Sequence, residues 1–223
     1  MCSHYQGIKE SKRYERRFGV PPPIEPGKHD LWPGYLGSFI RQHPHAYLGD
    51  EAVPAYEAMN GLFGFVPHWA TDTKLTKHTY NARSETVAEK PSFRDAWQRA
   101  QHCIIPADAI YEPDWRSGKA VATRIEHTGG EPLGIAGLWS CWKSAKGDVY
   151  SYTMLTINAD VHPLMRQFHK PTDEKRMTVI LQPQQYADWL AAPANASMDF
   201  MTPYPADLLM ATAPTPREGV LFQ

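Results

Sequence analysis

The sequence predicts an α+β domain rich in antiparallel sheet, and three observations carry that prediction. Short segments rich in β-branched and aromatic residues outnumber segments with helical periodicity. Turn signals such as Gly129-Gly130 and Lys146-Gly147-Asp148 separate several of them, and no βαβ alternation appears. The chain has 223 residues, 42% of them apolar, with seven Trp, eleven Tyr and eight Phe, which suffices for a substantial core. Linker signals are too weak to divide it. One compact domain over 1–223 is therefore expected, with a few peripheral helices.

The elements follow in order. Residues 8–18 (IKESKRYERRF) predict a short charged helix that stops before Gly19 and the Pro21-Pro22-Pro23 run. Residues 19–34, rich in Pro and Gly, predict an irregular surface excursion. Residues 35–40 and 61–66 read as short strands or buried segments. A helix is expected from Ser92 to about Gln101, with Ser92 as cap, Asp95 in the first turn, and Phe93, Ala96, Trp97 and Ala100 on one face. Residues 103–106, 119–125, 132–139, 149–157 and 176–181 read as strands. Residues 183–192 predict a helix with Pro183 in its first turn. From 193 onward, five prolines (Pro193, Pro203, Pro205, Pro214 and Pro216) predict an irregular wrap over the surface.

Composition excludes several classes. No run of about 18 apolar residues exists, so no membrane span is expected. The N-terminus lacks the apolar stretch of a signal peptide, and a cytoplasmic monomer is expected. Cys2, Cys103 and Cys141 are odd in number and lack CxxC spacing, which argues against a disulfide framework and a zinc knuckle. His43 and His45 have metal-like proximity without an acidic or cysteine partner nearby, so they read as loop residues and no cofactor is expected. Walker-type, GxGxxG, HExxH and GxSxG motifs are absent. A net charge of −1 leaves no global footprint for nucleic acid, so a nucleic-acid role requires a local cleft or a covalent attachment.

Four stretches carry chemistry. Cys2 follows only Met1, whose removal would give a terminal cysteine with an α-amine of pKa about 7.7–8.0 and a thiol near 8.5. That pair can attack an acyl carbon or trap an aldehyde as a thiazolidine ring. Taken alone, Cys2 reads more readily as a frayed terminus. Asn81 to Thr86 (NARSET) offers an amide and the forked cation of Arg83, or an ordinary solvated turn. Glu112, after an apolar pair and between aromatics, is placed for general acid/base work or else points to water at a strand end. His169, just upstream of the strand at 176–181, is a proton-shuttle candidate, with His162 as a rival.

In combination these stretches resemble the SOS-response-associated peptidase (SRAP) family of abasic-site processing proteins. Met1-Cys2 is followed in order by Gly64–Trp69 (GFVPHW), Asn81–Thr86, Cys103–Ala107 (CIIPA), Tyr111-Glu112, Phe168-His169 and Arg176-Met177. The ordered set covers about residues 1–190, leaving 191–223 as the irregular wrap. The resemblance implies a β-rich fold whose cleft receives single-stranded DNA containing abasic sites and couples Cys2 to the ring-opened aldehyde. It implies that Asn81 orients the terminus, Glu112 is the acid/base carboxylate and His169 helps to open the sugar. By the same resemblance Arg83 and Arg176 hold flanking phosphates, Trp69 walls the strand, and His4 stands at a DNA-contacting position.

The sequence departs from the family pattern at Ser3-His4, where Gly-Arg is usual. It also has six residues (170–175) between His169 and Arg176, where one is commoner, and Thr178 in place of a frequent proline. An N-terminal-nucleophile amidohydrolase of the glutamine amidotransferase kind also begins with cysteine. Its Asn-Gly motif is matched only by an isolated Asn60-Gly61, a dipeptide common in turns.

Overall fold

The computed structural model describes residues 2–25 and 27–213. The expectations for Met1, Pro214 and Pro216 fall outside the described residues. Among those described, thirteen strands form two sheets.

The larger sheet is built around a hairpin of β9 (Leu133–Ser144) and β10 (Gly147–Asn158), paired from Gly147–Ser144 to Met154–Gly137. β10 also pairs in parallel with β4 (Tyr56–Phe63). Antiparallel pairing then runs from β4 to β3 (Leu36–Gln42), to β6 (His102–Ala107) and back to β9. The five strands thus close on themselves as a barrel, a geometry that removes exposed sheet edges. Phe39, Phe63 and Tyr152 are buried and meet ring to ring, with Tyr152 5.7 Å from Phe39 and 5.8 Å from Phe63. At its far end β10 carries two short strands, β5 (Asn81–Arg83) in parallel and β11 (Arg176–Thr178) antiparallel. The solvated-turn alternative for 81–86 therefore gives way to a strand at its first three residues.

The second sheet is antiparallel throughout. In spatial order it contains β13 (Leu209–Thr212), β8 (Val121–His127), β7 (Ala109–Asp114), β1 (His4–Gln6) and β2 (Asp30–Leu31). Tyr5 of β1 ties it to the barrel through a 2.5 Å hydroxyl–hydroxyl hydrogen bond to Tyr152. Gly37 lies against both hydroxyls, and a Cβ there would meet them.

The helices are peripheral. α1 (Ser11–Phe18) buries Tyr14 and Phe18, one turn apart, and ends at Gly19, whose left-handed φ of 72° lets its N–H reach the Glu15 carbonyl. α3 (Tyr186–Ala191) follows a short 310 turn begun by Pro183 and buries Trp189.

Two expectations are corrected. α2 spans only Arg94–Gln98, and Ser92 does not cap it. Instead the Lys90 carbonyl accepts from both Phe93 and Arg94, and Ala100 leaves the helical region at φ 50°. The chain beyond 191 is not wholly irregular. After the proline-rich stretch, 206–213 is free of proline, so its N–H groups can pair, and β13 hydrogen-bonds to the edge of β8.

Candidate active site

The site begins with the register between β1 and β7. His4 pairs with Tyr111, Tyr5 with Ile110 and Gln6 with Ala109, so Cys2 approaches the part of β7 that carries Glu112. Alternate residues of a strand share a face, and Ile110 and Glu112 both point inward. Glu112 is 0% exposed, which overturns the water-facing alternative.

Cys2 is 1% exposed and its Sγ donates to the His4 carbonyl at 3.2 Å. Burial, followed by the charge of Glu112, pushes the thiol pKa far above its ordinary value. Asn81, positioned by the pairing of β5 with Met154, donates its side-chain N–H to the Cys2 carbonyl at 2.8 Å. The Asn81 Oδ1 is buried without a hydrogen-bond partner among the described residues, leaving an acceptor at the site.

His169 arrives from the other side. Its N–H donates to the Pro113 carbonyl at 2.8 Å, next to a bridge between Phe168 and Asp114 that docks this segment on the end of β7. Its φ is +65°, a conformation that non-glycine residues rarely adopt and that clusters at functional sites. The ring Nε2 lies 3.4 Å from Glu112 Oε2 and 3.2 Å from the Arg176 carbonyl. Burial lowers the imidazole pKa, and the nearby Glu112 charge opposes that shift. The rival His162 is fixed in the core, its Nε2 2.8 Å from the Tyr204 carbonyl. A buried thiol, an amide on the adjoining carbonyl and a carboxylate–imidazole pair therefore meet where the two sheets join. Together they can supply a nucleophile, orient it and move protons.

The family model of the SOS response associated peptidase (SRAP) matches residues 1–215. The chain belongs to the SRAP family. The match reaches beyond residue 190 and takes in β13. "Abasic site processing protein YoqW" of Bacillus subtilis is 35% identical over 150 residues, covering 65% of this chain and 63% of that protein. "Abasic site processing protein HMCES" of Rattus norvegicus is 27% identical, covering 46% of this chain and 39% of that protein. The matches thus span less than two thirds of these relatives' lengths. A crystal structure of a Bordetella bronchiseptica protein superposes with a TM-score of 0.86 at 50% identity, covering 96% of this chain and 100% of that one. A Bacteroides thetaiotaomicron protein, at 18% identity and a TM-score of 0.79, shares the fold.

The other residues expected to serve the SRAP site divide into two groups. Trp69 is 49% exposed with its Nε1–H on the Pro91 carbonyl at 3.3 Å, and Arg83 is exposed and bonded to Glu174 at 2.6 Å. His4, expected at a DNA-contacting position, and Arg176, expected to hold a phosphate, are both buried and engaged within the protein. His4 is sandwiched between Trp32 and Tyr111, 4.2 Å from each ring, with Nε2 3.0 Å from Asp30. Arg176 is 2% exposed and bonds to Glu85, Glu174 and Thr156.

Tyr80, next to Asn81, lies near enough to Cys2 and Glu112 to feel their charges. Its phenol pKa is raised by burial and then by the neighbouring Cys2 and Glu112. Among the described residues, no helix is long and apolar enough to cross a membrane, and no group of three His, Cys, Asp or Glu side chains gathers to hold a metal ion.

Proposed function

We propose that this protein captures abasic sites in single-stranded DNA by covalent attachment through Cys2, once hydrolysis of the Met1–Cys2 peptide bond has freed the α-amine. The observation that carries this reading is the meeting of Cys2, Asn81, Glu112 and His169 in one buried cluster. The relatives' names agree with it, since they are called abasic site processing proteins.

The chemistry balances with these residues alone. The amine of Cys2 adds to the aldehyde carbon of the open sugar and gives a carbinolamine. Loss of hydroxide, protonated to water by a site acid, leaves the imine. The thiol then transfers its proton and its sulfur bonds to the same carbon, while the imine nitrogen takes up a proton. The product is a thiazolidine ring, and one water has been released.

Because burial keeps the thiol protonated, ring closure needs a neighbouring acceptor, and the Glu112–His169 pair is placed to provide it. Asn81 holds the Cys2 carbonyl so that the amine and thiol face the incoming carbon. The same groups serve the hydrolytic removal of Met1, which makes the protein an autopeptidase as well as a lyase-like crosslinking enzyme in DNA repair. Exposed Trp69 and Arg83 supply stacking and phosphate contact without an overall basic surface.

The test is a denaturing gel. Protein lacking Met1, incubated with a single-stranded oligonucleotide carrying one abasic site, is expected to give a heat-stable shifted band that Cys2→Ala abolishes. Absence of the band in the processed wild-type protein overturns the proposal. Ammonia release from glutamine would instead favour the amidohydrolase reading.

A further inference from the structure

Glu174 lies in the six-residue segment between His169 and Arg176, and its carboxylate spans two arginines. Oε1 accepts from Nη1 of Arg176 at 2.8 Å, and Oε2 accepts from Nη1 of Arg83 at 2.6 Å. The two ends of this bridge are unlike. Arg176 is 2% exposed and is also held by both carboxylate oxygens of Glu85, at 2.8 and 2.9 Å, and by the carbonyl and hydroxyl of Thr156, at 2.8 and 3.1 Å. Its charge is met without Glu174. Arg83 is 47% exposed, and Glu174 is its one side-chain hydrogen-bond partner among the described residues. The backbone next to Glu174 is fixed, since Lys175 donates its N–H to Asp160 Oδ1 at 3.1 Å and its carbonyl accepts from Ala159 at 2.7 Å.

Arg83 sits two residues beyond Asn81 on β5. Alternate residues of a strand share a face and lie about 6.6 Å apart, and Ala82 between them is buried on the other side. Arg83 therefore rises from the face on which Asn81 reaches Cys2. A guanidinium receives carboxylate and phosphate with the same forked geometry. A DNA phosphate arriving at Arg83 thus meets a seat that a carboxylate already fills. The Glu174 carboxyl is held below its ordinary pKa, first by the hydrogen bond from Arg176, so it is ionised at neutral pH. The Arg83–Glu174 pair is exposed to water and screened by salt, which leaves it weak enough to be exchanged.

We infer that Glu174 is a specificity-determining residue, which fills the phosphate seat on Arg83 in the free protein and is displaced from it when single-stranded DNA binds. This rests on the crosslinking reading for the identity of the ligand. Intact and damaged strands present the same phosphates, so any affinity supplied by Arg83 is shared by both. The carboxylate lowers that shared part. The covalent bond to Cys2 then retains only a strand that carries an aldehyde, while intact strands leave quickly.

The test is a double-mutant cycle on the full chain. Fluorescence anisotropy with an undamaged single-stranded oligonucleotide measures Kd for the wild type, Glu174→Gln, Arg83→Ala and the double variant. Glu174→Gln should tighten binding about twofold to fivefold, and the gain should vanish when residue 83 is alanine. In single-turnover crosslinking of an abasic-site oligonucleotide, undamaged competitor should inhibit Glu174→Gln at a correspondingly lower concentration. Glutamine keeps an oxygen that accepts from Arg176, and Glu85 stays in place, so the variant should remain folded, which its melting curve checks. An equal gain with and without Arg83 would mean general charge repulsion and overturns the inference. So does a folded Glu174→Gln whose affinity is unchanged. If the wild type forms no crosslink, the functional reading fails, and inorganic phosphate titrated into 15N-arginine-labelled protein still decides the role of Glu174. The Arg83 Nε–H signal, assigned by its loss in Arg83→Ala, should respond at lower phosphate concentration in Glu174→Gln than in the wild type. An equal response in the two proteins overturns the inference.

Discussion

The side-chain amide of Asn81 donates to the carbonyl of Cys2 across 2.8 Å, joining a strand carried by the barrel to the residue that leads into the second sheet. Those two residues are 79 positions apart in sequence, so the bond exists only because β5 and β1 are brought to the same junction. Removing the donor frees the Cys2 backbone while leaving the rest of the pocket in place. Asn81→Ala should therefore lower single-turnover crosslinking by about 10- to 100-fold and cost only about 1 kcal/mol of stability. Asn81→Asp should fail to rescue the rate, because an ionised carboxylate cannot donate. Gel-based kinetics and urea unfolding report the two effects separately.

The cysteines should separate by reactivity. Cys2 and Cys103 are buried, whereas Cys141 is only partly so. Burial raises the pKa of the first two strongly, and the thiolate is the reactive form. In native protein at neutral pH, iodoacetamide should label Cys141 first. Labelling of Cys2 should keep rising through pH 9 without a plateau. Mass spectrometry of timed samples reads the order, and rapid labelling of Cys2 at pH 7 would contradict it.

His102 should make the fold acid-sensitive. Its ring stacks on Trp189 at 3.9 Å, bonds to Ser197 at 2.9 Å, and burial lowers its pKa to about 4. The unfolded chain binds the proton near pH 6.5 and the folded one only near 4. The stability contributed by the neutral ring is therefore complete above pH 6.5 and is lost as pH falls from there toward 4. The loss amounts to at most about 3 kcal/mol by linkage. His102→Phe should flatten the stability profile between those limits in urea titrations at several pH values.

The two exposed candidates for DNA contact should behave differently from each other. Trp69→Ala removes a stacking surface and should weaken binding of single-stranded DNA by about 1–3 kcal/mol at any salt concentration. Arg83→Ala should reduce the slope of log K against log salt by about 0.7. Both side chains are about half exposed, so melting temperatures should move little. Fluorescence anisotropy across a salt series distinguishes the two.

Much of the fold was legible because its signals are local. The Gly19 stop of α1, the Pro183 entry to α3 and the strands at 103–106 and 149–157 all came from patterns within a few residues. The helix from Ser92 was over-read, since apolar spacing cannot reveal that Ala100 adopts φ 50°. β13 was missed because Leu209–Thr212 is too short to announce itself and becomes a strand only beside β8. At the site, Glu112 and His169 could be named by residue type and motif, but Arg176 looked like a surface cation. Nothing local shows that Glu85, 91 positions away, waits to receive it.

What the sequence determined by itself is the inventory: a second-position cysteine, the NARSET stretch, a carboxylate after an apolar pair, and a histidine before a strand, in an order that marks the SRAP family. What only the tertiary structure decided is the use of each. Burial made the Cys2 thiol hard to ionise, register turned Glu112 inward, and long-range pairing buried Arg176 against Glu85 and Thr156. The physical reason is that charge, tautomer and proton affinity depend on neighbours within a few ångströms. In this chain those neighbours come from strands up to about 170 residues apart in sequence.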